Sequence, residues 1–418
     1  MKSNKFLKTG LLVMVLFSLA GCISGVGSPG NTPGVSGLAN GETLPPISGS
    51  NVMTFTVNGS ECTVHSNTYY NKPCVSVTIC NPGSTIACYT IKDLLLDTGS
   101  YGLRVFKSAI PNLTLDQVTS RQGGSLAECV KFGDGTSLWG PVQTASVTMG
   151  GEPAITIPIQ VIDPTFGTIP TTCGTPEATV DAAGFNGILG VGLLTNDCGS
   201  ACTGTHTGNG RYFTCSGSTC VGGTSNTEAE QTQNPVSSLP IDNNGAILEL
   251  PTISTSGVGS VSGYLIFGIG TESNNTPSAS VLRYSTDTDG YFTTEFNGQT
   301  YDSLLDSGSN GLFFNPASSS PVCSGGSSWL CPASILTYSA VNTGQTISGV
   351  TTNVGTVNFQ IGNTATFFSS SDLVFNDLGG DDNSMFDFGL PFYFGRNVYI
   401  GIEGQSSSQF GTGPYWAY

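Results

Sequence analysis

From residue 51 onward the chain reads as short segments in which apolar and polar side chains alternate. Thr54-Phe55-Thr56-Val57 and Cys74-Val75-Ser76-Val77-Thr78-Ile79 are the clearest. A period of two puts every apolar residue on one face of a strand, and clusters of Gly, Asn, Ser and Pro between segments supply the turns. No stretch beyond the first 20 residues carries the 3.6-residue period of a helix. The pattern predicts an all-β protein. Two segments break the alternation with unbroken apolar runs, Leu94-Leu95-Leu96 and Leu304-Leu305, and each runs directly into an aspartate. An unbroken run of this kind marks a strand covered on both faces.

Those two segments belong to an internal repeat. Residues 94–106 read LLLDTGSYGLRVF and residues 303–315 read SLLDSGSNGLFFN, with seven of 13 positions identical. Upstream of each copy lies a strand, a turn and a second strand. A repeat count of two predicts two pseudo-symmetric lobes, 51–240 and 241–418, and not a solenoid. In each copy a buried strand delivers a carboxylate, Asp97 or Asp306, to a tight glycine turn.

Two such D-[TS]-G-S motifs, one per half, resemble those of the pepsin-like aspartic proteases. The order of the flanking segments agrees. VKFGDGTSLWGPVQTASVTMGG (130–151) looks like that family's flap hairpin, with Phe132, Gly133, Asp134 and Gly135 at its tip. Asn186-Gly187-Ile188-Leu189-Gly190 and Phe388-Gly389 resemble the strands that cross behind each aspartate. The resemblance implies a two-lobed fold with Asp97 and Asp306 as a catalytic pair sharing one proton across a cleft. It also implies that Thr98 and Ser307 lock the two turns together, that Gly99 and Gly308 permit close approach, and that Ser100 and Ser309 orient the carboxyls. No cofactor or metal is implied. Two positions depart from the family. Phe132 stands where a tyrosine is usual, and Arg104 stands where a tryptophan is frequent. An arginine beside the pair would favour ionisation of both carboxyls and spoil the shared proton. Segments such as DNNG (242–245), FGIGTESNN (267–275) and GLPFYFGR (389–396) also make the whole chain similar to an uncharacterised domain-of-unknown-function family of bacterial lipoproteins.

Residues 1–22 are a targeting segment. Lys2, Lys5 and Lys8 precede a short apolar run, Leu11 to Leu19, which ends in Leu19-Ala20-Gly21-Cys22. This resembles a lipoprotein signal, implying cleavage before Cys22 and lipidation of its thiol. Ile23 in the next position favours an outer-membrane anchor, facing the periplasm or the surface. Residues 23–50, rich in Gly, Ser, Pro and Asn, read as a flexible tether. With no Lys or Arg, they lack a basic prosegment that would mask an acidic site.

Loss of the leader leaves nine basic side chains against 28 acidic ones, a formal charge of −19. Such a surface repels phosphate, which excludes nucleic acid as a partner and restricts membrane contact to the lipid. Setting Cys22 aside leaves 12 cysteines, an even number that predicts disulfides in an exported protein. Cys323 and Cys331, alone in the last third, are expected to pair. The pairing of Cys198, Cys202, Cys215 and Cys220 stays open, and their spacing does not fit a zinc ribbon. His65 and His206, the only histidines, are too few for a histidine-based hydrolase or metal site. Asp287-Thr288-Asp289-Gly290 and Gly379-Gly380-Asp381-Asp382-Asn383 lack the distal glutamate of a calcium loop and read as turns. The aromatic tail 414–418 reads as an interior strand. Three functions follow: an aspartic endopeptidase acting on a peptide or protein, a non-catalytic peptide- or glycan-binding protein on the same scaffold, or a structural envelope protein.

Overall fold

The alternating segments become strands with one face in the core. In Pro73–Cys80, Val75, Val77 and Ile79 are buried, while Ser76 and Thr78 are half-buried. The computed structural model describes residues 43–66, 68–204, 208–316, 320–325, 327–346 and 353–418. The signal segment, Cys22, residues 23–42 of the tether and His206 lie outside the described residues. Within them the chain is almost entirely β, and the two α-helical segments, Val180–Ala183 and Thr364–Phe367, have four residues each.

Pro73–Cys80 pairs with Cys88–Asp97, and the ladder continues through Gly187–Val191, Tyr101–Phe106, Ile155–Ile162 and Ser137–Thr148 back to Pro73–Cys80. Six strands thus close a barrel, which leaves no free edge. The apolar run before Asp97 is explained by its two neighbours. Leu94 and Leu96 enter the main core, whereas Leu95 turns to a second cluster with Phe106, Val130, Leu138, Phe185 and Ile188.

In the second half, seven strands curl into an open half-barrel. Their order is Val354–Ile361, Leu336–Thr343, Phe292–Phe296, Gln299–Leu305, Phe386–Phe388, Leu312–Phe314 and Gly379–Asp381. Its core is aromatic. Phe386 stacks on Phe388 at 4.3 Å and on Phe314 at 5.2 Å between ring centroids. The repeat persists in the register. Leu96 lies opposite Leu189 and Leu305 opposite Phe388 in parallel pairs. Leu103 and Leu312 then meet the same two residues in antiparallel pairs.

A third group of strands takes members from both halves. Val52–Val57 pairs with Val261–Phe267, and the ladder runs on through Gly245–Leu250, Arg396–Gly401 and Tyr415–Ala417 to Arg283–Ser285. Tyr415, Trp416 and Ala417 of the aromatic tail are buried there. Among the described residues six disulfides cross-link the chain, Cys129–Cys173 within the core: Cys62–Cys74, Cys80–Cys88, Cys129–Cys173, Cys198–Cys202, Cys215–Cys220 and Cys323–Cys331. The two acidic loops are turns that cap themselves. Asp287 Oδ1 accepts the N–H groups of Asp289 and Tyr291, and Asp382 Oδ1 accepts that of Ser384.

One buried acid sets a pH dependence on the fold. Neither carboxyl oxygen of Asp377 has a side-chain or neighbouring partner, and burial lifts its pKa to about 7. Its unfolded pKa is near 4, so its contribution to stability is complete below that value and is lost as pH rises through 7. A shift of about three units corresponds to roughly 4 kcal/mol. Asp377→Asn is expected to match the wild type in urea unfolding at pH 4 and to exceed it at pH 8. Parallel curves at both pH values would remove Asp377 as the cause.

Candidate active site

The two apolar runs end at turns that meet tip to tip, held by hydroxyls that are fully buried. Thr98 N–H donates to Ser307 Oγ at 3.1 Å, and Ser307 N–H donates to Thr98 Oγ1 at 2.9 Å. Each hydroxyl in turn donates to the strand opposite, Thr98 to the Leu305 carbonyl at 2.8 Å and Ser307 to the Leu96 carbonyl at 2.7 Å. With its hydrogen so committed, Thr98 Oγ1 accepts from Tyr393, 2.7 Å away. Every polar group in this junction is paired, as burial demands.

This lattice brings the side chains of Asp97 and Asp306 together. A Cβ at Gly99 would lie 2.5 Å from the carboxyl carbon of Asp306, and one at Gly308 would lie 2.7 Å from Asp97 Oδ1, so only glycine fits either turn. Gly99 N–H donates to Asp97 Oδ1 and Gly308 N–H to Asp306 Oδ1, both at 2.8 Å. Ser100 donates to Asp97 Oδ2, and Ser309 Oγ lies 2.9 Å from Asp306 Oδ2. A Cβ at Gly308 would touch both carboxyls, Asp97 Oδ1 at 2.7 Å and Asp306 Oδ1 at 3.1 Å. Burial first, then the charge of Asp306, lifts Asp97 well above the usual carboxylate range.

Arg104 does not approach this pair, contrary to the concern its sequence position raised. On its strand it faces away from Leu103 and Val105, and its guanidinium is buried among Glu128 at 2.7 Å, Asp197 at 2.9 Å and the Tyr101 carbonyl at 2.6 Å. Although burial opposes ionisation, Arg104 chiefly holds Glu128 down to about 2. Phe132, Gly133, Asp134 and Gly135 form the exposed turn between Ser125–Lys131 and Ser137–Thr148, closed by Gly135 N–H on the Phe132 carbonyl at 3.0 Å. Phe132 packs on the cluster that contains Leu95 and Ile188.

The hydroxyl that Phe132 lacks comes from another element. The loop 58–72 is pinned by Cys62–Cys74, by Lys72 Nζ on Asp93 at 2.7 Å, and by His65 Nε2, also 2.7 Å from Asp93. It lays Tyr69 against the same cluster as Phe132, with its hydroxyl donating to the Gly308 carbonyl at 3.2 Å. Burial, then the charges of Asp306, Asp97 and Asp134, raises the pKa of that hydroxyl. No motif marked Tyr69, because its role depends on a fold of the loop that spacing does not encode. Asp387 was also missed, although an acid within Phe386-Asp387-Phe388 was a visible anomaly. Its carboxyl lies 2.6 Å from Ser309 Oγ.

Among the described residues, Cys62, Cys74 and Asp93 have the spacing of metal ligands. The two sulfurs are bonded to each other, and the Lys72 ammonium occupies Asp93. That cluster is a structural anchor. The Arg104 site yields a further test. Arg104→Met leaves Glu128 and Asp197 buried without their guanidinium, at an expected cost of about 3–5 kcal/mol in urea unfolding near neutral pH. A cost below 1 kcal/mol would mean that Arg211, 3.3 Å from Asp197, compensates.

No curated protein matches this chain. The family model described as "Protein of unknown function (DUF3443)" matches residues 48–418, nearly all of the β structure set out above. The chain with this junction of two aspartate turns belongs to that family.

Proposed function

We propose that the two halves are the lobes of a pepsin-like scaffold and that the protein is an aspartic-type endopeptidase of the bacterial cell envelope. The observation that carries the reading is the close approach of the Asp97 and Asp306 carboxyls at Gly99 and Gly308, each accepting its own turn's glycine N–H. The ionised member of the pair takes a proton from a water between the carboxyls, and that oxygen attacks the peptide carbonyl. The protonated member gives its proton to the carbonyl oxygen as the tetrahedral centre forms, and the pair then protonates the departing amine. The glycine N–H groups and the Ser100 and Ser309 hydroxyls hold both carboxyls in place throughout. The signal-like residues 1–22 support anchoring through lipid on Cys22, the sole membrane contact in this reading, with residues 23–50 as tether and the outer membrane as site.

A second reading draws on Tyr69. Its hydroxyl occupies the Gly308 carbonyl, a backbone acceptor beside the pair, which suits a protein that holds a peptide or glycan without cutting it. Cleavage assays separate the two. Unfolded protein incubated with the wild type from pH 3 to 7 is expected to be cut, with loss of at least about 100-fold in Asp97→Asn and in Asp306→Asn. The raised pKa of Asp97 keeps the shared proton bound above pH 4, so the alkaline limb is expected above the ordinary carboxylate range. A folded wild type that leaves every substrate intact would turn the assignment to the binding protein.

A further inference from the structure

The repeat is broken at one chemically conspicuous point. In the first half, Ile188 lies opposite Leu95 on one side and Arg104 on the other. At the equivalent place in the second half, Asp387 lies opposite Leu304 and Phe313. A buried carboxyl thus replaces a buried isoleucine directly behind one of the two paired aspartates. Asp387 is 8% exposed, and its Oδ1 is buried with no hydrogen-bond partner.

Ser309 connects this third carboxyl to the pair. Its Oγ lies 2.9 Å from Asp306 Oδ2 and 2.6 Å from Asp387 Oδ2. A hydroxyl has one hydrogen and can donate to only one of them. The other contact is a hydrogen bond only if that carboxyl is itself protonated and donates to Ser309 Oγ. In the first half Ser100 has no such choice, as Asp97 is its one carboxyl partner.

The surroundings decide which acid carries the hydrogen. The charged groups acting on Asp387 are Asp306, Asp97 and Asp382, and the hydroxyls of Tyr291 and Tyr393 also feel its charge. No lysine, arginine or histidine is among them. Asp306, by contrast, accepts the Gly308 N–H. Asp387 has no backbone N–H on its carboxyl, so it is the acid that carries its own hydrogen.

We propose that Asp387 is a positioning residue that remains a neutral carboxylic acid, donates to Ser309, and so commits the only Ser309 hydrogen to Asp306. The Ser309 hydroxyl is then held on Asp306, where it fixes the orientation of that carboxyl. Burial first, then Asp306, raises the Asp387 pKa, in keeping with this arrangement. Its catalytic consequence rests on the endopeptidase reading, but its protonation state does not.

The test uses full-length protein labelled with carbon-13 at the aspartate carboxyls, titrated from pH 3 to 8. The signal of Asp387 is identified by its loss in Asp387→Asn and, as a second variant, in Asp387→Ile, which copies the first half. A signal that stays in the protonated position at pH 6 supports the proposal, whether or not the protein cleaves peptides. A signal that has moved to the ionised position by pH 5 overturns it. For a cleaving enzyme, Asp387→Asn is expected to leave both limbs of the pH profile within about 0.3 unit, because a neutral group replaces a neutral group. A downward shift of both limbs by a unit or more would show that a negative charge had been removed, and would overturn the proposal.

Discussion

The reciprocal hydrogen bonds of Thr98 and Ser307 are the constraint on which the arrangement depends. Each hydroxyl accepts the other turn's backbone N–H and donates to a strand carbonyl of the other half. Four bonds therefore tie four pieces of backbone with two small side chains. Buried groups of this kind cost little when all are paired and a great deal when one is missing. The distance between the carboxyls is thus a property of the backbone, and the flanking glycines allow it by having nothing to place between them. A longer side chain at Gly99 or Gly308 would part the carboxyls even with the hydroxyl lattice intact.

The economy of positive charge complements that lattice. Only nine basic residues follow residue 22, and several are engaged far from the pair. Lys72 serves Asp93, Arg104 serves Glu128 and Asp197, and Lys107 serves Asp163. No cation is among the main influences on Asp97 or Asp387, whose raised pKa follows first from burial and then from the charge of Asp306. An acidic chain with few cations can keep acids protonated in its interior because nothing nearby rewards their ionisation.

Much of this was legible in the sequence, and for local reasons. The period of two gave the strand faces, and the unbroken leucines before Asp97 required cover on both sides, which the main core and the Leu95 cluster supply. The 13-residue repeat carried over into strand register, since identical side chains in identical places impose identical pairings. What escaped was directional or distant. Arg104 follows the first motif closely, yet a single step of alternation turns it away from the pair. Tyr69 reaches the Gly308 carbonyl through a loop whose course is set by a disulfide and a buried lysine, neither readable as a pattern. Asp387 was readable as an acid among aromatics, but its partner on Ser309 became apparent only with the crossing strand in place.

The mixed sheet has a consequence for the order in which the protein can be completed. Val52–Val57 is the first strand to follow the tether, yet its partner Val261–Phe267 lies more than two hundred residues further along. A chain completed from its N-terminus would present this strand with one edge open until the second half arrived. Contacts so remote in sequence close slowly. The first barrel can form from its own residues, but the surface against which the second half docks stays unfinished during that interval. Until the second half is in place, the first half therefore carries an unpaired β edge, open to pairing with another unfinished chain.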